Sequence, residues 1–178
     1  GGLSSNVNII PIPSKDGKTD PEKLMEAARE EFGINSDVSP KFTLDVSQQD
    51  NVWFVIDTDS WGSKITDLRN FCKSQNAGLD NEAWYVSQSN PSFEIWLYYH
   101  KFSEKPVKND VDKYSSIKEF VDAQIPGGFD SRKHPAMIEA AIQNAKATYE
   151  EENQVLKLYS TEVFKLGQVI LPFVKDIL

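Results

Sequence analysis

The chain has 178 residues, 39% of them apolar and 26% charged, the make-up of one soluble globular domain with room for a core. Its formal net charge of −8 argues against a protein that coats nucleic acid nonspecifically, because phosphate contacts need Lys and Arg. The lone cysteine, Cys72, excludes a disulfide framework within the chain, no apolar run approaches the ~20 residues of a membrane span, and Gly1-Gly2-Leu3 does not open a signal peptide, so the expected setting is the cytoplasm.

Val7 to Pro13 (VNIIPIP) predicts a short strand, held to an edge by its prolines. Ser14 to Thr19 is turn-like. Asp20-Pro21 predicts a helix start, with Asp20 as N-cap and Pro21 at the first helical position. That helix runs through Leu24, Ala27, Ala28 and Phe32 and stops at Gly33. Lys41 to Val46 reads as an extended piece in a polar stretch. Val52 to Ile56 is a continuous apolar run with aromatic and β-branched residues, the pattern of a strand buried on both faces in a parallel sheet. Ser63 to Asn76 predicts a helix with Ile65, Leu68, Phe71 and Cys72 on one side. Ala83 to Ser87 is the next strand, and Pro91 to Phe102 an aromatic helix capped by Asn90.

The second half reads as helical. Ser115 or Ser116 caps a helix holding Ile117, Phe120 and Val121. Pro126-Gly127-Gly128 is a loop. Pro135 to Glu152 predicts a helix with Met137, Ala140, Ala141, Ala145 and Tyr149 at helical spacing. Thr161 to Leu171 is a last amphipathic helix. The alternation of strands and helices followed by helices predicts an α/β fold: a small, mainly parallel sheet flanked by helices, with a C-terminal helical extension. The expected division is a core over residues 1–104 and an extension over 105–178.

Asp57-Thr58-Asp59 stands where a strand meets a loop, the end at which ligands bind in α/β sheets. Two aspartates one residue apart can turn toward one ion there, and hard oxygen ligands suit magnesium or manganese. The competing reading is that they cap the following turn. Glu94 falls in the first turn of the aromatic helix, where the helix dipole favours a carboxylate. Its neighbours Phe93, Ile95, Trp96 and Leu97 are apolar, so the charge needs a partner: a metal held by Asp57 and Asp59, an arginine, or backbone amides. His100 shares a face with Phe93, Trp96 and Leu97, where a core role competes with a supporting role at the site. His134 precedes Pro135 at a helix start and reads as a cap. Lys101, Lys105 and Lys108 could touch phosphates, a reading that competes with a plain solvated cluster. Cys72 packs in the core. The chain has no Gly-x-Gly-x-x-Gly or Walker loop.

The stretches VWFVIDTDSWG (52–62) and SQSNPSFEIWLYYHKF (87–102) resemble the RloB family, whose members are encoded near bacterial restriction and abortive-infection loci. The family pattern is a hydrophobic strand ending in Asp-x-Asp, a helix, a short strand, and then Ser-Asn-Pro-x-Phe-Glu-x-Trp-Leu with a following histidine. Asp57, Asp59, Ser89, Asn90, Pro91, Phe93, Glu94, Trp96, Leu97 and His100 match it. Ala141-Ile142-Gln143-Asn144-Ala145 and Thr161-Glu162-Val163-Phe164-Lys165-Leu166 look like two later family helices.

The resemblance implies a fold related to the TOPRIM domain of topoisomerases, primases and OLD-type nucleases, with magnesium (or manganese) held by Asp57, Asp59 and Glu94 and with His100 beside it. It also implies a metal-dependent nuclease or other phosphoryl-transfer protein of phage defence, acting on nucleic acid. The family usually opens with a strand leading into Glu-Gly-x-Thr-Glu. Here only Asp16-Gly17-Lys18-Thr19-Asp20 offers a degenerate copy, too close to Asp57 for the strand and helix the family places between. The chain as given is therefore expected to carry part of the site. The alternative is a non-catalytic interaction module that binds a partner ATPase or sensor from the same locus. A haloacid-dehalogenase-like phosphatase also uses Asp-x-Asp, but wants a threonine where Trp61 stands.

Overall fold

The computed structural model describes residues 7–13 and 20–175. They form a mixed α/β protein with a two-stranded parallel sheet and seven α-helices among the described residues. By compactness the described residues divide into two units, one of residues 9–13, 20–56 and 60–86, the other of residues 7–8, 57–59 and 87–175.

In the first unit, helix α1 (Pro21–Glu31) begins as its sequence directs: Asp20 Oδ1 accepts the Glu22 N–H at 2.8 Å and Pro21 occupies the first turn. It buries Met25, Ala27 and Ala28 and ends before Gly33, whose φ of +63° suits glycine. Helix α2 (Ser63–Asn76) joins strand β1 (Val52–Asp57) to strand β2 (Trp84–Ser89); Asp57 and residues 87–89, the ends of the two strands, are counted with the second unit. The four α2 positions that recur at helical spacing, Ile65, Leu68, Phe71 and Cys72, are its buried residues. Asn76 ties the end of α2 to β2: its Oδ1 accepts the Ala83 and Trp84 N–H groups at 2.9 Å each, and its Nδ2 donates to the Trp84 carbonyl at 2.9 Å. Phe54, Ile56, Phe71 and Trp84 pack with these helices into one apolar cluster.

Three expectations need correction here. Val7–Pro13 is not a strand, and Ile9 and Ile10 are exposed; Pro11 and Pro13 have no N–H to give to a ladder. Lys41–Val46 joins no sheet: the Lys41 and Phe42 N–H groups both donate to the Glu31 carbonyl, and the segment runs into a short 3-10 turn at Val46–Gln48. Strand β1 is covered on one face only. Phe54 and Ile56 are buried, while Val55 is 42% exposed and Trp53 stacks on Tyr85 at 4.5 Å on the other side. Apolar residues on both faces of a strand do not by themselves supply a second covering layer.

The second unit is helical: α3 (Glu94–Tyr99), α4 (Lys108–Val111), α5 (Ile117–Gln124), α6 (Ile138–Ala147) and α7 (Val163–Val174). Its core joins Ile95, Trp96 and Tyr99 to Phe120, Val121, Ile125, Ala141, Ala145 and Phe164. Ser116 caps α5, its hydroxyl accepting the Glu119 N–H at 3.1 Å, while Glu119 accepts the Ser115 N–H at 2.9 Å in return. The aromatic helix begins at Glu94 and not at Pro91, and Asn90 does not cap it; the Asn90 Nδ2 donates to the Leu156 carbonyl at 2.8 Å. The helix expected to reach Glu152 stops at Ala147. A hairpin follows, β3 (Glu151–Glu152) against β4 (Val155–Leu156), turned by Asn153 and Gln154 at φ +52° and +64°, the left-handed pair of a two-residue hairpin loop. The Asp16–Thr19 part of the degenerate opening motif, and the Ser14–Thr19 turn, lie outside the described residues.

Candidate functional site

The parallel register of β1 on β2 is marked at both ends: the Val52 N–H donates to the Ala83 carbonyl at 2.7 Å and the Thr58 N–H to the Ser89 carbonyl at 2.8 Å. Asp57 is the last residue of β1, and Thr58 is held where the strand ends. The Thr58 N–H also reaches the Pro91 carbonyl at 3.1 Å. The Thr58 hydroxyl donates to the Ser89 carbonyl at 2.8 Å and accepts from Gln88 Nε2 at 2.8 Å. Asp59 then turns with φ +35°, a conformation that only a minority of non-glycine residues adopt and in which aspartate is enriched.

Asp57 reaches the aromatic helix. Its Oδ1 accepts the Phe93 N–H at 2.8 Å, so β1 supplies the acceptor that the start of α3 lacks from its own side chains. Glu94 is the next residue, and its Oε2 accepts the Ser92 hydroxyl at 2.6 Å. Burial pushes the Asp57 carboxyl above the usual 3.8; the Phe93 N–H opposes this, while the charges of Glu94 and Asp59 push it further up. The Asp57 carboxylate thus sits in the field of the other two. Among the described residues no group of three or more His, Cys, Asp and Glu side chains stands arranged to hold a metal ion.

His100 belongs to an aromatic layer. It is 4% exposed and lies edge-on to Trp96 and Phe129, both at 5.0 Å. Its Nδ1 is 3.0 Å from the Trp96 carbonyl, which can only accept, so the neutral ring carries its proton on Nδ1. Phe129 also meets His134 at 4.9 Å, and His134 Nδ1 accepts the Asp130 N–H at 2.7 Å. Lys105 pairs with Glu150 at 3.2 Å and Lys108 with Asp112 at 2.6 Å.

Sequence reasoning assigned no role to the polar residues beside Asp57. Ser87, Gln88, Ser89, Ser160, Thr161 and Glu162 are all buried. Residues 88–90 take a second, antiparallel partner in the segment before α7. The Glu162 N–H donates to the Gln88 carbonyl at 2.7 Å, Glu162 Oε2 accepts the Gln88 N–H at 3.1 Å, and the Asn90 N–H donates to the Ser160 carbonyl at 2.9 Å. Ser89 and Thr161 share a hydroxyl–hydroxyl bond of 2.7 Å. The buried Glu162 is neutralised by Lys165 at 2.8 Å. The signal was present in Ser87-Gln88-Ser89 and Ser160-Thr161-Glu162, two polar triplets each abutting apolar runs, but such triplets read most simply as strand ends and helix caps.

A parallel strand pair whose first strand ends in an Asp-x-Asp beside a glutamate-bearing helix defines a mixed α/β protein with an acidic strand end. The chain belongs to the family of RloB-like proteins, whose model matches residues 3–170. No curated protein and no solved structure matches it.

Proposed function

We infer that this RloB-like protein is a magnesium- or manganese-dependent nuclease, or a related phosphoryl-transfer protein, with a TOPRIM-like core over residues 1–104 and a role in phage defence. The observation that carries the reading is the geometry at the end of β1: Asp57 is its last residue, Asp59 follows in the turn, and Asp57 Oδ1 accepts the N–H of Phe93, the residue before Glu94. Carboxylates gathered at a strand end repel one another unless a cation offsets them.

The donor set suits magnesium, which is usually held through one or two carboxylates and keeps several waters, so a full cage of protein ligands is not required. Asp57, Asp59 and Glu94 would hold the ion. When bound, such an ion activates water and stabilises charge on a phosphate's leaving oxygen. The chain's own part is to fix the carboxylates: the Phe93 N–H orients Asp57, and the Ser92 hydroxyl orients Glu94.

The test is calorimetric titration with magnesium and manganese, paired with nuclease assays on DNA and RNA. Binding that Asp57→Ala abolishes is expected; no binding, or binding indifferent to Asp57→Ala, overturns the reading. The competing reading is an interaction module for a partner ATPase or sensor. The net charge of −8 favours it, and failure to bind metal in the same titration would select it.

A further inference from the structure

The second unit holds a cavity of about 510 Å³, lined by residues between Tyr98 and Gln124. That volume lies within the roughly 300–1,000 Å³ of small-molecule sites. The wall is aromatic, made by Tyr98, Phe102, Tyr114 and Phe120. Phe102 stacks on Tyr98 at 4.4 Å, and Tyr114 meets Phe120 edge-on at 5.6 Å, so the rings hold one another in place. Tyr98 is 8% exposed, yet its hydroxyl has no hydrogen-bond partner among the described residues. A buried tyrosine hydroxyl usually finds one, and Tyr98 lines the cavity.

The charges on the rim do not cancel. Lys113 pairs with Asp110 at 2.6 Å and Lys105 with Glu150 at 3.2 Å, so each lysine has its own carboxylate. Glu104, also on the rim, is paired with no cation among the described residues. Its charge adds to burial in pushing the Tyr98 phenol up, so that hydroxyl keeps its proton at neutral pH and its oxygen is free to accept. Aromatic faces carry partial negative charge and attract cations. An aromatic wall beside one uncompensated carboxylate therefore favours a positive ligand, and the chain's net charge of −8 acts in the same direction.

We propose that this cavity binds a small organic cation, an amine or amidine carrying a flat apolar group, with Glu104 as its counter-ion, the four rings as its wall and the Tyr98 hydroxyl as a hydrogen-bond acceptor. The site is independent of the acidic strand end, since Asp57, Asp59 and Glu94 do not line it. Glu104→Gln keeps the shape and removes the charge. Tyr98→Phe keeps the stack on Phe102 and removes the hydroxyl.

The experiment is NMR titration of the full chain, at low salt, with three probes of nearly one shape: benzamidinium, neutral benzamide and anionic benzoate. Benzamidinium is expected to bind, and benzamide to bind roughly tenfold more weakly or not at all, because it lacks the charge for the rings and for Glu104. Benzoate should bind no better than benzamide. Glu104→Gln should weaken benzamidinium by up to about fivefold, as for an exposed ion pair, and leave benzamide unchanged. Tyr98→Phe should weaken benzamidinium by about two- to tenfold, the loss of one hydrogen bond. Asp122→Asn, which removes an exposed carboxylate of α5 outside the cavity, should have no effect; an effect equal to that of Glu104→Gln would reduce the binding to the general charge of the chain and overturn the site. No benzamidinium binding, equal binding of benzamide, or preference for benzoate also overturns it. So does benzamidinium binding that both Glu104→Gln and Tyr98→Phe leave untouched.

Discussion

Asp57 Oδ1 accepts the backbone N–H of Phe93 at 2.8 Å, and this bond links the end of β1 to the residue before Glu94. It separates two roles of one carboxylate. Asp57→Asn keeps an oxygen for the Phe93 N–H and removes the charge; Asp57→Ala removes both. The Asp57 carboxyl is pushed up, first by burial, so its charge opposes folding at neutral pH. Asp57→Asn is therefore expected to be at least as stable as the parent in urea denaturation. Asp57→Ala should be less stable than Asp57→Asn by about 1–2 kcal/mol, the value of the lost hydrogen bond. Equal stability of the two variants would mean that the bond to Phe93 contributes nothing.

The sign of the pH dependence at His100 follows from its burial. Desolvation holds its pKa below the ordinary 6.5 and the His134 charge adds to this, while the bond to the Trp96 carbonyl opposes it. The folded protein therefore binds fewer protons than the unfolded chain just below pH 6.5. The contribution of His100 is kept above that value and lost as pH falls through it. Urea midpoints measured from about pH 8 down to about pH 5 should fall, and His100→Gln should flatten that part of the profile. An unchanged slope in His100→Gln would assign the pH dependence to other groups.

Cys72 gives a chemical report on the first unit. Burial pushes its thiol up to about 12, with the Arg69 charge opposing, and it is 5% exposed. The reactive species is the thiolate, so a disulfide reagent at mildly alkaline pH should modify the native protein very slowly. Adding denaturant should speed the reaction by roughly a hundredfold or more, since an unfolded cysteine has an ordinary pKa and full access. Rapid modification of the native chain would contradict the packing of α2.

What could be read from the sequence was local or periodic. Asp20-Pro21 marked the start of α1, and the spacing of Ile65, Leu68, Phe71 and Cys72 marked the buried side of α2, because a helix repeats its burial every three or four residues. Asp57 and Asp59 were legible as a strand end, and Glu94 as a charge in need of a partner. The bond from Phe93 to Asp57 was not legible, since nothing in either segment specifies a contact across so many residues. The pairing of residues 88–90 with the segment before α7 was hidden for the same reason. It made Ser160, Thr161 and Glu162 into buried partners of β2, although the sequence placed Thr161 and Glu162 at the start of the last helix. Asn90 was misread because its side chain was needed at Leu156. The helix expected through Glu152 stops at Ala147, because the chain beyond it enters a hairpin turned by Asn153 and Gln154 in the left-handed region, a turn that the helical spacing of Ala145 and Tyr149 concealed.

Gly167 shows the same limit in the core of the second unit. It sits inside α7, where glycine costs about 1 kcal/mol against alanine, and only tertiary packing explains it. A Cβ there would stand 3.0 Å from Ile142 Cγ1, 3.2 Å from Ile142 Cδ1 and 3.4 Å from Trp96 Cη2. Ile142 and Trp96 are each 6% exposed, so neither side chain can swing into solvent. Gly167→Val is expected to destabilise the protein by about 1–3 kcal/mol through overpacking. Ile142→Ala alone should cost about 2–5 kcal/mol by opening a cavity. In the double variant the valine enters the space that Ile142 vacates, so the combined loss should fall short of the sum of the two singles by more than about 0.5 kcal/mol. Urea denaturation of the parent, both singles and the double closes this cycle, and strict additivity would show that α6 and α7 do not meet at Gly167.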